Sequence, residues 1–147
     1  MSNKITRDEI KLAYECGHRD FIKLDLSGLD LSELNLAGAN LIRTNLSKTY
    51  LYKVNLKWSY LSGAHLSKTN LKKANLVGAD LSFAILSEAD LIETNLFEAN
   101  LAFANLYKAN LSGVNLTGVV LAGANLSKAN LSGANLVGAD LTGAKFN

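Results

Sequence analysis

Ala99-Asn100-Leu101-Ala102-Phe103-Ala104-Asn105-Leu106-Tyr107-Lys108-Ala109-Asn110-Leu111 repeats itself every five residues: a small residue, Asn or Asp, Leu, and two variable positions. With the central Leu as position i, the pattern runs without insertion from Leu24 to the C-terminus. Leu holds position i 24 times in succession, from Leu26 to Leu141, with Phe21 before and Phe146 after. Position i−2 is Ala in 14 of the 25 repeats from Leu24 to Ala144, which sets a small residue close to each large one. Every glycine beyond Gly17 falls at i+2.

A period of five fits neither regular secondary structure. A helix advances ~100° per residue, so a residue every five would walk around its cylinder. Strand side chains alternate with period two. A short extended piece can, however, bury i−2 and i on one side while i−1 points out. A turn over i+1 and i+2 then resets the phase. Gly confined to i+2 supports a type II turn, in which that residue needs φ > 0. Corners bearing Lys, Glu, Phe or Trp at i+2 are expected to use a different turn. The chain therefore turns every five residues and stacks on itself, with its leucines in interior columns. Each buried Leu contributes about 2 kcal/mol of gross burial. Thr44, Thr49, Thr69 and Thr94 stand at i−2 and need hydrogen-bond partners, expected in the backbone of the adjacent coil.

These residues resemble the pentapeptide-repeat family, whose signature is Ala-(Asp/Asn)-Leu-x-x. The resemblance covers residues 24–147. It implies an all-β fold: a right-handed, quadrilateral parallel β-helix with four pentapeptides per coil, hence about six coils. Lys48, Lys68, Lys108 and Lys128 recur at twenty-residue spacing with Glu88 in the gap, which agrees with a twenty-residue coil.

Residues 1–23 form a separate lead-in. Residues 6–16 predict a short α-helix, with Thr6 and Glu9 at capping-box spacing, acids in the first turn and Gly17 as stop signal. Ile10, Ala13 and Tyr14 share one helical face. A helix this short needs tertiary support, so it is expected to lie as a lid on the first coil. There Leu24, Leu29 and Leu34 replace the usual small i−2 residue and fill the space beneath it. Tyr14 and Cys16 are read as packing residues. The C-terminus shows no second lid. It is expected to present an uncapped coil edge and to self-associate end to end as a homodimer, unless the natural chain continues past Asn147.

Composition narrows the function classes. No apolar run approaches the ~18 residues of a membrane span, and no secretory leader is apparent, so the expectation is a cytoplasmic protein. The single cysteine fits a reducing compartment. No Cys/His metal spacing, nucleophile–base pair or phosphate-binding glycine loop occurs, so the reading is non-enzymatic, with no cofactor. Net charge is +2. That balance, without a recognition motif, argues against nucleic acid.

The outward positions divide along the chain. Residues 34–79 lack acids and carry Arg43, Lys48, Lys53, Lys57, Lys68, Lys72 and Lys73, interleaved with Tyr50, Tyr52, Trp58, Tyr60 and His65. Residues 74–107 lack bases and carry Asp80, Glu88, Asp90, Glu93 and Glu98, with Phe83, Ile85, Ile92, Phe97 and Phe103 nearby. Candidate partner-binding residues are Arg43, Lys48, Tyr52, Lys53, Trp58, Tyr60, Lys72, Lys73, Phe83, Phe97 and Phe103. The first expectation is a structural or protein-binding solenoid whose two belts are contact zones. The alternative comes from the resemblance: some members of the family bind DNA gyrase by imitating duplex DNA. An acidic rod with a C-terminal dimerising helix would serve that purpose, and this sequence shows neither. An ice-binding face would want an outward Thr array. The regular Asn series from Asn35 to Asn135 is explained by the repeat itself.

Overall fold

The computed structural model describes residues 4–147, so the first three residues of the predicted lead-in lie outside it. After the N-terminal helix the chain turns at every fifth residue, where the sequence places its corners. At each corner the i+3 N–H donates to the carbonyl of the central Leu, as from Ala84 to Leu81 at 3.0 Å. The residue at i+2 adopts positive φ throughout the repeat region. This corrects the expected division between glycine and non-glycine corners. Lys, Glu, Arg, Phe and Trp take φ between 53° and 62°, in the same left-handed region as the glycines. The cause lies in the stacking. Where a further coil follows, the i+2 N–H donates to it, as from Lys48 to the Ser67 carbonyl at 2.9 Å, whatever its side chain; Lys128, in the last coil, makes no such bond and keeps a φ of 59°. The turn bond and the stacking together hold the corner, and a non-glycine residue bears about 1–2 kcal/mol of left-handed strain.

Successive turns stack in register. Parallel bridges join each i−1 residue to the one twenty positions later, which builds four ladders. Ladder I runs Asp20, Asn40, Tyr60, Asp80, Asn100, Val120, Asp140. Ladder II contains Asn45, His65, Ile85 and Asn105; ladder III contains Tyr50, Asn70 and Asp90; ladder IV is Asn from Asn35 to Asn135. The result is a β-helix-type solenoid in which each side contributes one bridge residue per turn.

Leucines at i and small residues at i−2 make one continuous core from Ile10 to Leu126. The buried threonines are satisfied across coils: Thr44, Thr49, Thr69 and Thr94 donate their hydroxyls to the carbonyls of Phe21, Leu26, Leu46 and Leu71. Asn and Asp at i−1 accept from the N–H two residues on, as Asn105 does from Tyr107 at 3.1 Å. Several also bond along their ladder, as from Asn100 Nδ2 to Asp80 Oδ1 at 3.2 Å. Asn at i−1 thus braces both its own corner and the neighbouring coil.

Helix α1 spans Arg7–Glu15. Thr6 and Glu9 close the predicted capping box. At the other end Gly17 N–H donates to the Tyr14 carbonyl and His18 N–H to the Ala13 carbonyl, a Schellman stop. Ile10 is buried, and Ala13, Tyr14, Leu24 and Leu29 pack against the core. Cys16 is exposed, contrary to the packing role expected of it. It caps the helix through its backbone and turns its side chain outward.

The lid also resolves a polar problem. Carbonyls at i−1 and i+1 accept from the preceding coil, and the first coil has no predecessor. Side chains from the lead-in take that place. Arg7 donates to the Asp30 and Ser32 carbonyls at 2.8 and 3.0 Å, and Tyr14 Oη to the Ala37 carbonyl at 2.8 Å. Lys4 Nζ donates to the Ser27 carbonyl. At the far end Leu131, Leu136 and Leu141 are only partly buried.

Candidate interaction surface

The four ladders give every outward residue a side as well as a height. Lys48 shares a corner with Lys68, Glu88, Lys108 and Lys128. Tyr52, Lys53, Lys72 and Lys73 share the next corner with Glu93. Trp58 and Phe97 occupy the corner leading into ladder I. Tyr60 is a rung of that ladder. Arg43, Phe83 and Phe103 occupy the corner leaving it. The candidate residues therefore do not form one patch. The candidate lysines and Tyr52 stand on the corners remote from ladder I, and Arg43 and the other candidate rings stand beside it.

The two charge belts meet where they stack. Lys68 Nζ lies 3.9 Å from Glu88, Lys72 Nζ 3.0 Å from Asp90 and Lys73 Nζ 3.5 Å from Glu93. Two of the pairs are solvent-exposed and Lys72–Asp90 is half-buried at the surface, so each contributes only ~0–1 kcal/mol. Their consequence is electrostatic: three of the seven bases of the first belt are matched by acids of the second belt one coil later. Lys53 and Lys57 also extend over the rings of Tyr52 and Trp58, with centroid distances of 5.2 and 5.5 Å.

Exposed apolar side chains are distributed unevenly. Trp58, Tyr60, Phe83, Phe97, Phe103 and Val120 stand on ladder I or its two corners, whereas Tyr50 is exposed on ladder III. Phe83 and Phe103 stack on each other, with centroids 5.2 Å apart and planes 12° from parallel. Two glycines seat the rings. Trp58 lies over Gly78, where an added Cβ would meet the indole at 2.0 Å. Phe103 lies over Gly123, where the equivalent distance is 2.6 Å. Val120 and these two glycines were missed in the sequence; writing the chain in rows of twenty aligns them with the rings.

One cavity, of about 430 Å³, opens between α1 and the first coil. Its basic lining residues are engaged internally: Arg7 with edge carbonyls, Lys11 with Glu15 at 3.9 Å, and Arg19 stacked 3.8 Å over Tyr14. Among the described residues, no group of three His, Cys, Asp or Glu side chains is placed to hold a metal ion. Among the described residues, no helix is long and apolar enough to cross a membrane.

The sequence matches the family described as pentapeptide repeats in 8 copies, over residues 20–57, 49–82, 74–113 and 109–147. This chain belongs to the pentapeptide-repeat family. No curated protein matches it. Among solved structures it is similar to trypsin-treated QnrB1 (R167E), a plasmid-mediated fluoroquinolone resistance protein, at 23% identity and a TM-score of 0.68. That alignment covers 87% of this chain and 64% of QnrB1, so the chain spans under two thirds of that relative's length. It is also similar to Rfr23 of the cyanobacterium Cyanothece 51142, at 30% identity over 92% of this chain and 96% of that one, TM-score 0.34. HetL of Nostoc sp. strain PCC 7120, involved in heterocyst differentiation regulation, aligns at 24% identity over 95% and 96%, TM-score 0.32. The QnrB1 likeness establishes the pentapeptide-repeat fold and, at that identity, nothing about activity.

Proposed function

We propose that this chain is a non-enzymatic, protein-binding rod: a right-handed, four-sided β-helix of about six coils that holds outward side chains at fixed spacing. The observation that carries the reading is the gathering of exposed rings on the ladder I side, with Trp58 and Phe103 seated on glycines. Aromatic side chains are over-represented among residues that dominate binding energy. The interior does not compete for this role, because its positions are committed to Leu and small residues. A gyrase-directed role would need an acidic rod. The acids of the second belt are instead largely matched with lysines, and the chain is net +2.

The test is affinity capture from the native host with identification by mass spectrometry. The wild-type chain is compared with a Trp58→Ala, Phe83→Ala, Phe103→Ala variant. Species that follow the wild type and are lost from the variant support the reading; identical captures overturn it. A second copy is also proposed as a partner. Leu131, Leu136 and Leu141 N–H groups and Ala129, Ala134 and Ala139 carbonyls occupy positions that bond onward in earlier coils. Two such edges are mutually complementary in antiparallel register. A monomer by sedimentation equilibrium at high concentration would remove the second copy from the proposal.

A further inference from the structure

Each aromatic cluster can be asked whether it already has its own cation. Tyr14 has Arg19, Tyr52 has Lys53, Trp58 has Lys57, and Tyr107 has Lys108 and Lys128. Phe83, Phe97 and Phe103 have none among the described residues: Arg43 and Lys57 stand on the same corners but two or three coils earlier, and no base occurs from residue 74 to 107. The acids divide the same way. Glu88, Asp90 and Glu93 pair with lysines on other corners or sides. Asp80 and Glu98 form no ion pair among the described residues, and both stand on the ladder I side. Phe83 and Phe103 are 62% and 59% exposed, so their rings are open to a partner.

We infer that the ladder I side between Phe83 and Phe103 is a docking surface for a polypeptide segment in which Arg or Lys alternates with apolar residues. The inference rests on the protein-binding reading and adds the partner's chemistry. Three lines of charge complementarity and shape support it. Exposed rings without a local cation attract guanidinium or ammonium groups through their faces. Asp80 on ladder I and Glu98 on the corner leading into it supply carboxylates on the same side of the rod as the rings and would repel an acidic segment or a phosphate backbone. The rings themselves cover the apolar residues of the same segment. Guanidinium also stacks on planar groups while donating to carboxylates, so Arg fits this arrangement better than Lys.

The experiment uses the full chain, isotope-labelled for NMR, and three probes: a short soluble peptide alternating Arg with Leu, the same peptide with Glu at every Arg, and a single-stranded oligothymidylate. The expected result is a saturable shift of resonances around Phe83, Asn100 and Phe103 with the Arg peptide, weakened by added salt and weakened roughly tenfold in the Phe83→Ser, Phe103→Ser variant. These side chains are exposed, so the variant keeps the core; unchanged resonances at His65 and Asn45 verify that. Equal response to the Glu peptide or the oligonucleotide overturns the inference. So does a response confined to the Tyr52–Lys53 corner, which would leave the protein-binding reading standing. No shift with any probe counts against both.

Discussion

Gly78→Ala is the sharpest probe of how the rings are held. Two costs separate at this position. The first is backbone strain: φ is +64°, and an L-residue there costs about 1–2 kcal/mol. The second is steric. The new methyl would stand 2.0 Å from Trp58 Cζ3, so the indole must swing away. Trp58 is 53% exposed, so roughly 100 Å² of an indole-sized surface is covered. Losing half of that cover costs about 1 kcal/mol at ~25 cal/mol per Å². Gly113 is the matched control, with φ +68° and nothing within 4 Å of an added Cβ. Gly113→Ala should therefore cost only the strain, and Gly78→Ala about 1 kcal/mol more. Trp58 is the sole tryptophan, so its emission reports the ring directly. Denaturant unfolding and emission spectra of both variants should show the larger loss and a red shift only for Gly78→Ala. In the background of Trp58→Ala the excess should vanish, which is the coupling that a double-mutant cycle reads. Equal costs at the two glycines, with emission unchanged, would refute the seating of Trp58 on Gly78.

Leu86→Asp puts a carboxylate at a fully buried core position and should cost several kcal/mol, abolishing the cooperative thermal transition seen by circular dichroism. Tyr14→Phe removes the donor to the Ala37 carbonyl while keeping the ring on the core. It should cost about 1 kcal/mol, measured by denaturant midpoint, with hydrogen exchange rising first in α1. Acid should weaken the rod in a defined direction. Asp25, Asp30 and Asp140 are held below the ordinary carboxylate range by the hydroxyl and N–H of Ser27, Ser32 and Thr142. A depressed folded pKa contributes stability that is present above the unfolded value, near pH ~4, and is lost as pH falls through the folded one. Tm should thus be flat from neutrality to about pH 5 and decline below about pH 4. Replacing the three with Asn should shallow that decline while keeping the turns, since Asn45 already accepts from Ser47 N–H at 3.1 Å.

The ladder architecture was legible because the five-residue period is a property of the chain alone. Leu at i and a small residue at i−2 specify what faces inward, and no distant contact is needed to read them. Thr94 illustrates how far that reached: an isolated hydroxyl in a buried column demanded a partner, and the Leu71 carbonyl supplies it at 2.8 Å. The corners were misread where local propensity was trusted too far. Trp58 and Phe83 are poor candidates for φ > 0 in isolation, yet bonds to the next coil hold both there, because Trp58 N–H donates to Val77 and Phe83 N–H to Ala102. The candidate surface was only half legible. Belts along the sequence were visible, but a side of the rod needs the twenty-residue register. Lys72 and Asp90 are 18 residues apart in sequence and 3.0 Å apart in space.

That register also explains why fold and function separate in such a chain. Interior columns and edge carbonyls are the same problem at every level, and one short sequence solves it repeatedly. The solution leaves i+1 and i+2 almost free, since a corner forms with Gly, Lys, Glu or Phe alike. Selection for a partner can therefore act on single corners without disturbing the core, and its mark would be a departure from the background on one side only. Rung replacement alone is not such a mark, since Tyr50 on ladder III and His65 and Ile85 on ladder II also depart from Asn or Asp; the ladder I side is set apart by its rings. Tyr60 and Val120 replace the usual Asn or Asp rung, and forgo its brace to the i+1 N–H. Glycines stand under Trp58 and Phe103, where a side chain would displace the rings. Replacing a stabilising rung by an exposed apolar side chain costs the rod a hydrogen bond of about 1 kcal/mol. What the ladder I side alone combines is exposed rings with glycines beneath them, which a surface shaped for contact would carry and a uniformly solvated surface would not.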